Sequence, residues 1–296
     1  MQFREDQKPI MEYRGGTMAV PAVPGAGKTF IVAHLAAKII EEKIHKPGKV
    51  LVVTYMNSAV NNFKSRISSV LEKKSITING DYEVMTIHSL AMKILKERPD
   101  VVGVNEEFQI IDDLKKIAFL NECIENWRRK NGERIFRLLL SDSGNKKYNE
   151  KGEYYWRDFF TIADNLISEL KLNSISPELL LEKLENVEGI SIVKSISQIY
   201  DAYIKKLRME GYIDYNDLLL LSYKALLLDD KLREKFKNKY SFIFEDECQD
   251  SNLVQSKILL LLSENNNNLV RVGDLNQSIM GTFTSSDPKF FANFCS

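Results

Sequence analysis

Cysteine is scarce in this chain: Cys123, Cys248 and Cys295 are its whole complement over 296 residues. An odd number, set far apart, argues against a disulfide framework and offers no zinc-ligand spacing, so a reducing compartment fits. Net charge is lacking too. Lys plus Arg and Asp plus Glu both number 41, so any nucleic-acid surface must come from local placement of charge. No apolar run reaches membrane-spanning length, and the N-terminal "MQFREDQKPIMEYRGG" is too polar for a signal peptide. The expectation is a cytoplasmic protein with no membrane partner. No internal repeat is visible, and the Asn run at 265–268 reads as a surface loop. What remains is an ordinary globular composition, 44% hydrophobic and 28% charged, with length for about two domains.

Short apolar runs alternate with longer amphipathic ones. "TMAV" (17–20), "KVLVVTY" (49–55), "YEVMTI" (82–87), "YSFIFE" (240–245) and "NLVRVG" (268–273) are continuous and rich in Val, Ile and aromatics, which predicts buried strands. Between the first two lies "KTFIVAHLAAKIIEEK" (28–43), where Ile31, Leu35 and Ile39 mark one helix face. That is a βαβ unit and predicts a parallel sheet. From about Lys96 to Gly211 no strand is expected. Helical patterns run over 112–127, 156–172 and 189–210, and "SPELLLEKLE" (176–185) carries Ser176 as N-cap and Pro177 at the first helical position. The fold class expected is α/β, a parallel sheet interrupted by an all-helical insertion. Its domains are 1–96 with 212–296, and the insertion 97–211.

The stretch "AVPGAGKTF" (22–30) follows a strand and opens a helix. It runs Ala22, Gly27, Lys28, Thr29, with Gly25 and Ala26 inside. Phosphate binding needs successive N–H groups turned inward, and glycines permit those backbone angles with no side chain in the way. The helix N-terminus adds donors and partial positive charge. Lys28 supplies a point charge at the β and γ phosphates, and Thr29 a hydroxyl for Mg2+. The plainer alternative is a glycine-rich turn, which the flanking strand and helix disfavour.

"FIFEDECQD" (242–250) is an apolar strand ending in three consecutive acids, as expected where a neighbouring strand delivers a carboxylate to a metal beside the phosphates. In one register Asp246 holds the metal through water and Glu247 orients and deprotonates the attacking water. In the other, Glu245 and Asp246 take those roles. "VGDLNQSIMGTF" (272–283) again places polar groups at a strand end, where Gln277 could reach the γ-phosphate.

Taken with "VVTYMNSAVNNFKSRI" (52–67), "TIHSLAMKIL" (86–95) and "DYNDLLL" (214–220), these motifs stand in the order and spacing of the UvrD/Rep-like DNA helicases of superfamily one. The resemblance covers nearly all of the chain. It implies a RecA-like P-loop ATPase domain with a helical insertion, ATP and Mg2+ as cofactors, and DNA, single-stranded or partly duplex, as partner. In that family a glutamine follows the acid pair by fixed steps, so Gln249 implies Asp246 for the metal and Glu247 as base. Gln7, 21 residues before Lys28, looks like the adenine-reading glutamine, with Phe3 in place of the usual aliphatic residue.

On the DNA side the resemblance implies that Thr54, Tyr55 and Asn57 meet a base and phosphates, with Tyr55 as stacking platform, and that Thr86 and His88 touch the strand's backbone. Tyr55 packed on the next helix is the plainer alternative. "WRRKNGERIFR" (127–137) clusters basic residues around aromatics, a duplex-tracking surface or, more simply, a solvated helix face. Some positions depart from the family. Met280 and Thr282 stand where an aromatic pair is usual, leaving Phe283 as the nearby aromatic for DNA. Phe30 replaces an Arg near the adenine, and Glu245 an aliphatic residue. Nothing resembling a second RecA-like domain follows, so the chain is expected to be the N-terminal part of a larger 3′–5′ translocase that binds Mg-ATP but hydrolyses it slowly alone. The alternative is a nucleotide-gated DNA-binding or regulatory module acting with a partner nuclease or repair complex.

Overall fold

A computed structural model describes residues 3–274 apart from 24, 78, 186–188 and 190. In chain order the elements are α1 (Lys8–Met11), β1 (Thr17–Pro21), α2 (Lys28–Glu41), β2 (Lys49–Thr54), α3 (Asn57–Lys73), β3 (Tyr82–Thr86) and α4 (Ile87–Glu97). Then come β4 (Gln109–Ile110), α5 (Asp113–Leu138), α6 (Asp142–Leu172), α7 (Pro177–Leu184), α8 (Ile192–Met209) and β5 (Tyr212–Ile213). Last among the described residues are α9 (Tyr215–Leu228), α10 (Asp230–Lys239), β6 (Tyr240–Asp246), α11 (Leu253–Ser263) and β7 (Leu269–Gly273). These elements fall into two compact units, Val102–Leu220 and the described residues on either side of it.

In the flanking unit β1, β7, β6, β2 and β3 form one sheet in that order, every pair parallel. Such sheets are covered on both faces, which is why their strands read as continuous apolar runs. Side chains alternate between the faces. Val50, Val52, Phe242, Phe244, Val270 and Val272 share one core with Ile31, Leu35 and Ile39 of α2 and Phe63, Ile67 and Leu71 of α3. α11 packs against β6 and β7. One expectation needs correction: the strand bearing the acids is not next to the strand before the phosphate loop, because β7 lies between them. Sequence periodicity identifies strands but carries no information on their lateral order.

The unit Val102–Leu220 is mostly helical, built on Trp127, Phe136, Trp156, Phe159, Ile196, Ile199, Tyr200 and Tyr203. The expectation of no strand between Lys96 and Gly211 is overturned by β4, which pairs in parallel with β5. Two residues are too few for a period-two signal to register. Ser176 caps α7 by accepting the Leu179 N–H, with Pro177 at the first position. Within α5, Arg128 lies 4.6 Å over Trp156 and pairs with Glu133 at 3.0 Å, while Arg137 lies 4.4 Å over Tyr148. Arg129, Lys130 and Arg134 remain exposed. A fully buried Lys171 meets Asp214 at 2.5 Å and Asp217 at 2.8 Å, which places the acids of "DYNDL" in a buried charge cluster at the start of α9. Among the described residues no helix is long and apolar enough to cross a membrane.

Candidate functional site

The phosphate loop joins β1 to α2. Ala22 N–H extends the β1–β7 ladder by donating to Gly273 O at 2.9 Å, after which the chain turns through Gly25 (φ 72°) and Gly27 (φ 82°). Both glycines sit in the left-handed region that side chains disfavour. Gly27 is also the N-cap of α2 and has no side chain to cap it, so the first-turn N–H groups receive no side-chain acceptor and remain suited to an anion. Lys28 and Thr29 are the first two helical residues. Gln7, buried, donates from Nε2 to Ala26 O at 3.2 Å, which ties the N-terminal segment to the loop.

The acid motif approaches from β6. Lys28 Nζ lies 2.6 Å from Glu247 Oε2. Glu247 stands in the left-handed region (φ 55°), a conformation that a non-glycine residue keeps only where its surroundings hold it. Gln249, 3% exposed, provides that hold: its Nε2 donates to Glu247 Oε2 at 2.8 Å while its Oε1 accepts Asp274 N–H at 3.0 Å. Asp246 is buried, and its Oδ1 has no hydrogen-bond partner. Burial, and then the Glu247 carboxylate, push the Asp246 pKa up to about 7, with the Lys28 ammonium opposing. A buried carboxylate oxygen lacking a donor is the kind of group a divalent cation satisfies. Among the described residues no three His, Cys, Asp or Glu side chains gather around one point. The donor set therefore fits Mg2+, which keeps waters and phosphate oxygens as ligands, and does not fit a protein-caged metal.

Which acids face the loop is decided by the pleat. Glu245 sits opposite Arg271 in the β6–β7 register and pairs with it, Arg271 Nε to Glu245 Oε2, at 2.8 Å. Ser251 Oγ also donates to Glu245. One residue further along, Asp246 projects from the opposite face, the face covered by α2.

Phe30 leads into a groove of about 1010 Å³ between α2 and α3, lined by Phe3, Phe30 and His34 at one end and by Arg66, Lys73 and Lys74 among others. The Phe30 and His34 rings lie 4.0 Å apart, and Phe3 meets His34 edge-on at 5.6 Å. At the same ends of β2 and β3 lie the residues expected on DNA. Thr54 is buried, Tyr55 is half-buried, and Asn57 is exposed at the start of α3. Burial, then Asp250, raise the Tyr55 pKa, keeping it a neutral phenol. Thr86 caps α4 by accepting Ser89 N–H at 3.2 Å, and burial lowers the His88 pKa. A groove of about 610 Å³ holds Asn57, Lys64, Thr86, Ser89 and Lys93.

A family model described as the UvrD/REP helicase N-terminal domain matches residues 3–296. The chain belongs to this family. It is 28% identical over 280 residues to the ATP-dependent DNA helicase Rep of Buchnera aphidicola subsp. Baizongia pistaciae, covering 94% of this chain and 36% of that protein. It is 25% identical over 266 residues to the ATP-dependent DNA helicase PcrA of Leuconostoc citreum, covering 90% and 31%. Against PcrA of Staphylococcus aureus it is 25% identical over 276 residues, covering 93% and 33%. The chain thus spans about a third of the length of these relatives.

In this UvrD/REP helicase domain Gln277, Phe283, Met280, Thr282 and Cys295 lie outside the described residues. Gly273 also belongs to the site: an added Cβ there would come within 2.6 Å of Gln249 Oε1 and 2.7 Å of Cys248 Sγ. Only glycine leaves room for the Gln249 bridge. A Gly-Asp pair closing an apolar strand was the available signal, and by itself it reads as a turn. His34 carries no such signal, being indistinguishable in sequence from any half-buried helical residue.

Proposed function

We propose that this chain is the ATP-binding N-terminal part of an ATP-dependent DNA helicase that translocates 3′ to 5′ on single-stranded DNA. The observation that carries the reading is the 2.6 Å approach of Lys28 to Glu247 beside the buried Asp246. The nucleotide phosphates take the place Lys28 now faces, cradled by the N–H groups after Gly25 and Gly27. Lys28 then turns from Glu247 to the β and γ phosphates, which frees Glu247 to orient a water and accept its proton. Mg2+ would be held by Asp246 through water and by the Thr29 hydroxyl, and would neutralise charge on the phosphates. Gln7 and Phe30 face the adenine, and Gln277 reports the γ-phosphate. Thr54, Tyr55, Asn57, Thr86, His88 and Phe283 meet the DNA strand.

The second RecA-like domain of the longer protein supplies arginines to the transferring phosphate, worth roughly 10³–10⁵ in rate, against roughly 10²–10⁴ for a base such as Glu247. Residues 1–296 alone therefore bind Mg-ATP and turn it over slowly. The unit Val102–Leu220 serves as the insertion within the ATPase domain. The deciding measurement is ATP turnover with and without single-stranded DNA, by residues 1–296 and by the longer protein. DNA stimulation in the longer protein is expected; its absence there, with ATP binding intact, would remove the translocase reading.

A further inference from the structure

Glu245 and Arg271 form an ion pair with both side chains only 4% exposed. Removing two charges from water is costly, and apolar residues of similar volume often serve stability as well or better, so stability alone accounts poorly for the pair. Its partners point to another role. Arg271 Nη2 donates to Ser256 Oγ of α11 at 2.7 Å, and Ser251 Oγ donates to Glu245. The pair thereby ties β6, β7 and α11 together on the face of the sheet away from the phosphate loop. Between Glu245 and Ser251 runs the turn that carries Asp246, the left-handed Glu247 and Gln249. Glu245 grips both ends of this turn, one by covalent connection and the other through the Ser251 hydroxyl, while Gln249 grips its middle.

We propose that Glu245 and Arg271 are positioning residues for hydrolysis: acting from behind the sheet, they hold the 246–250 turn so that Glu247 keeps its strained conformation beside Lys28. The inference rests on the ATPase reading above. It separates geometry of the base from affinity for nucleotide, because the phosphate loop hangs from β1 and α2 and not from this turn.

The test compares Mg-ATP affinity by calorimetry with DNA-stimulated kcat, both on the full-length protein. Glu245→Leu should lower kcat by about tenfold or more with the nucleotide Kd changed less than about twofold, the pattern of a lost transition-state interaction. Ser251→Ala, which cuts the same tether from an only partly buried position, should lower kcat in the same direction and keep Kd. Glu245→Gln keeps an oxygen for Ser251 and should retain most of the turnover. If Glu245→Leu does not fold, Ser251→Ala and the charge-free Glu245→Leu/Arg271→Leu double variant decide the matter by the same kcat loss at constant Kd. Unchanged kcat in Ser251→Ala and in a folded Glu245→Leu or double variant overturns the assignment, as does a Kd that weakens in step with kcat. Either result leaves the ATPase reading standing, since that reading fails only if wild-type protein does not bind Mg-ATP through Lys28.

Discussion

Lys28 and Glu247 are separated by more than two hundred residues of chain, yet they form an ion pair at 2.6 Å. The ammonium and the carboxylate neutralise each other in a partly buried place where either charge alone would be costly. Lys28→Ala removes the cation the phosphates need, and calorimetry should show Mg-ATP binding lost; an unchanged affinity would remove the phosphate-loop reading. Glu247→Gln keeps the size of the side chain and deletes its basicity. In the longer protein it should retain ATP affinity while turnover falls roughly 10²–10⁴-fold, and undiminished turnover would reassign the base. At this scale the sequence was legible where residue type and spacing carry the chemistry, as in Gly27-Lys28-Thr29. Three successive acids leave both the Glu245–Asp246 and Asp246–Glu247 registers open on residue type; the Gln249 spacing of the resembled family favours the second, and the pairing of Glu245 with Arg271 gives the physical reason.

Strand β3 forms one edge of the sheet, and much of its anchoring is ionic. Glu83 meets Lys93 at 3.0 Å, Lys239 at 3.1 Å and Lys49 at 3.4 Å, and accepts the Tyr240 hydroxyl at 2.9 Å. Burial by itself would raise the Glu83 pKa, but the hydrogen bonds from Lys93, Lys239 and Tyr240 outweigh it and hold the group at about 2. Just before the strand, Asp81 is held at about 2, chiefly by the Lys46 hydrogen bond and also by His45. Both values lie below those of the unfolded chain. The stability these groups contribute is therefore present above their unfolded values, nearly whole by about pH 5.5, and is lost as pH falls toward 2, on the order of 1–2 kcal/mol each after screening. The melting temperature should decline over that interval, and Glu83→Gln should lower it at neutral pH while flattening the decline. An equally steep acid profile in Glu83→Gln would contradict this account. Of the elements themselves, those with a long apolar stripe were readable. α2 is an example, with Ile31, Leu35 and Ile39 all buried. β4 and β5 were not, since two residues make no pattern.

For the whole molecule, a ligand that binds only the folded chain stabilises it by mass action. ATP with Mg2+ at about a hundredfold excess over its Kd should add about 2.7 kcal/mol, seen as a rise of several degrees in the melting temperature. Lys28→Ala should abolish that rise, and a rise that persists would place the nucleotide elsewhere. The same scale separates what the chain's order of residues determined from what the folded arrangement decided. Local chemistry was written in the sequence: the phosphate loop, the apolar strands, the Ser176 N-cap and the helical middle depend on neighbours within a few residues. The order β1–β7–β6–β2–β3, the reach of Lys28 to Glu247, the Gln249 bridge over Gly273 and the Glu245–Arg271 pair were decided only by the tertiary structure. Each of these joins residues far apart in sequence, and such contacts exist only once the crossovers have brought their strands side by side.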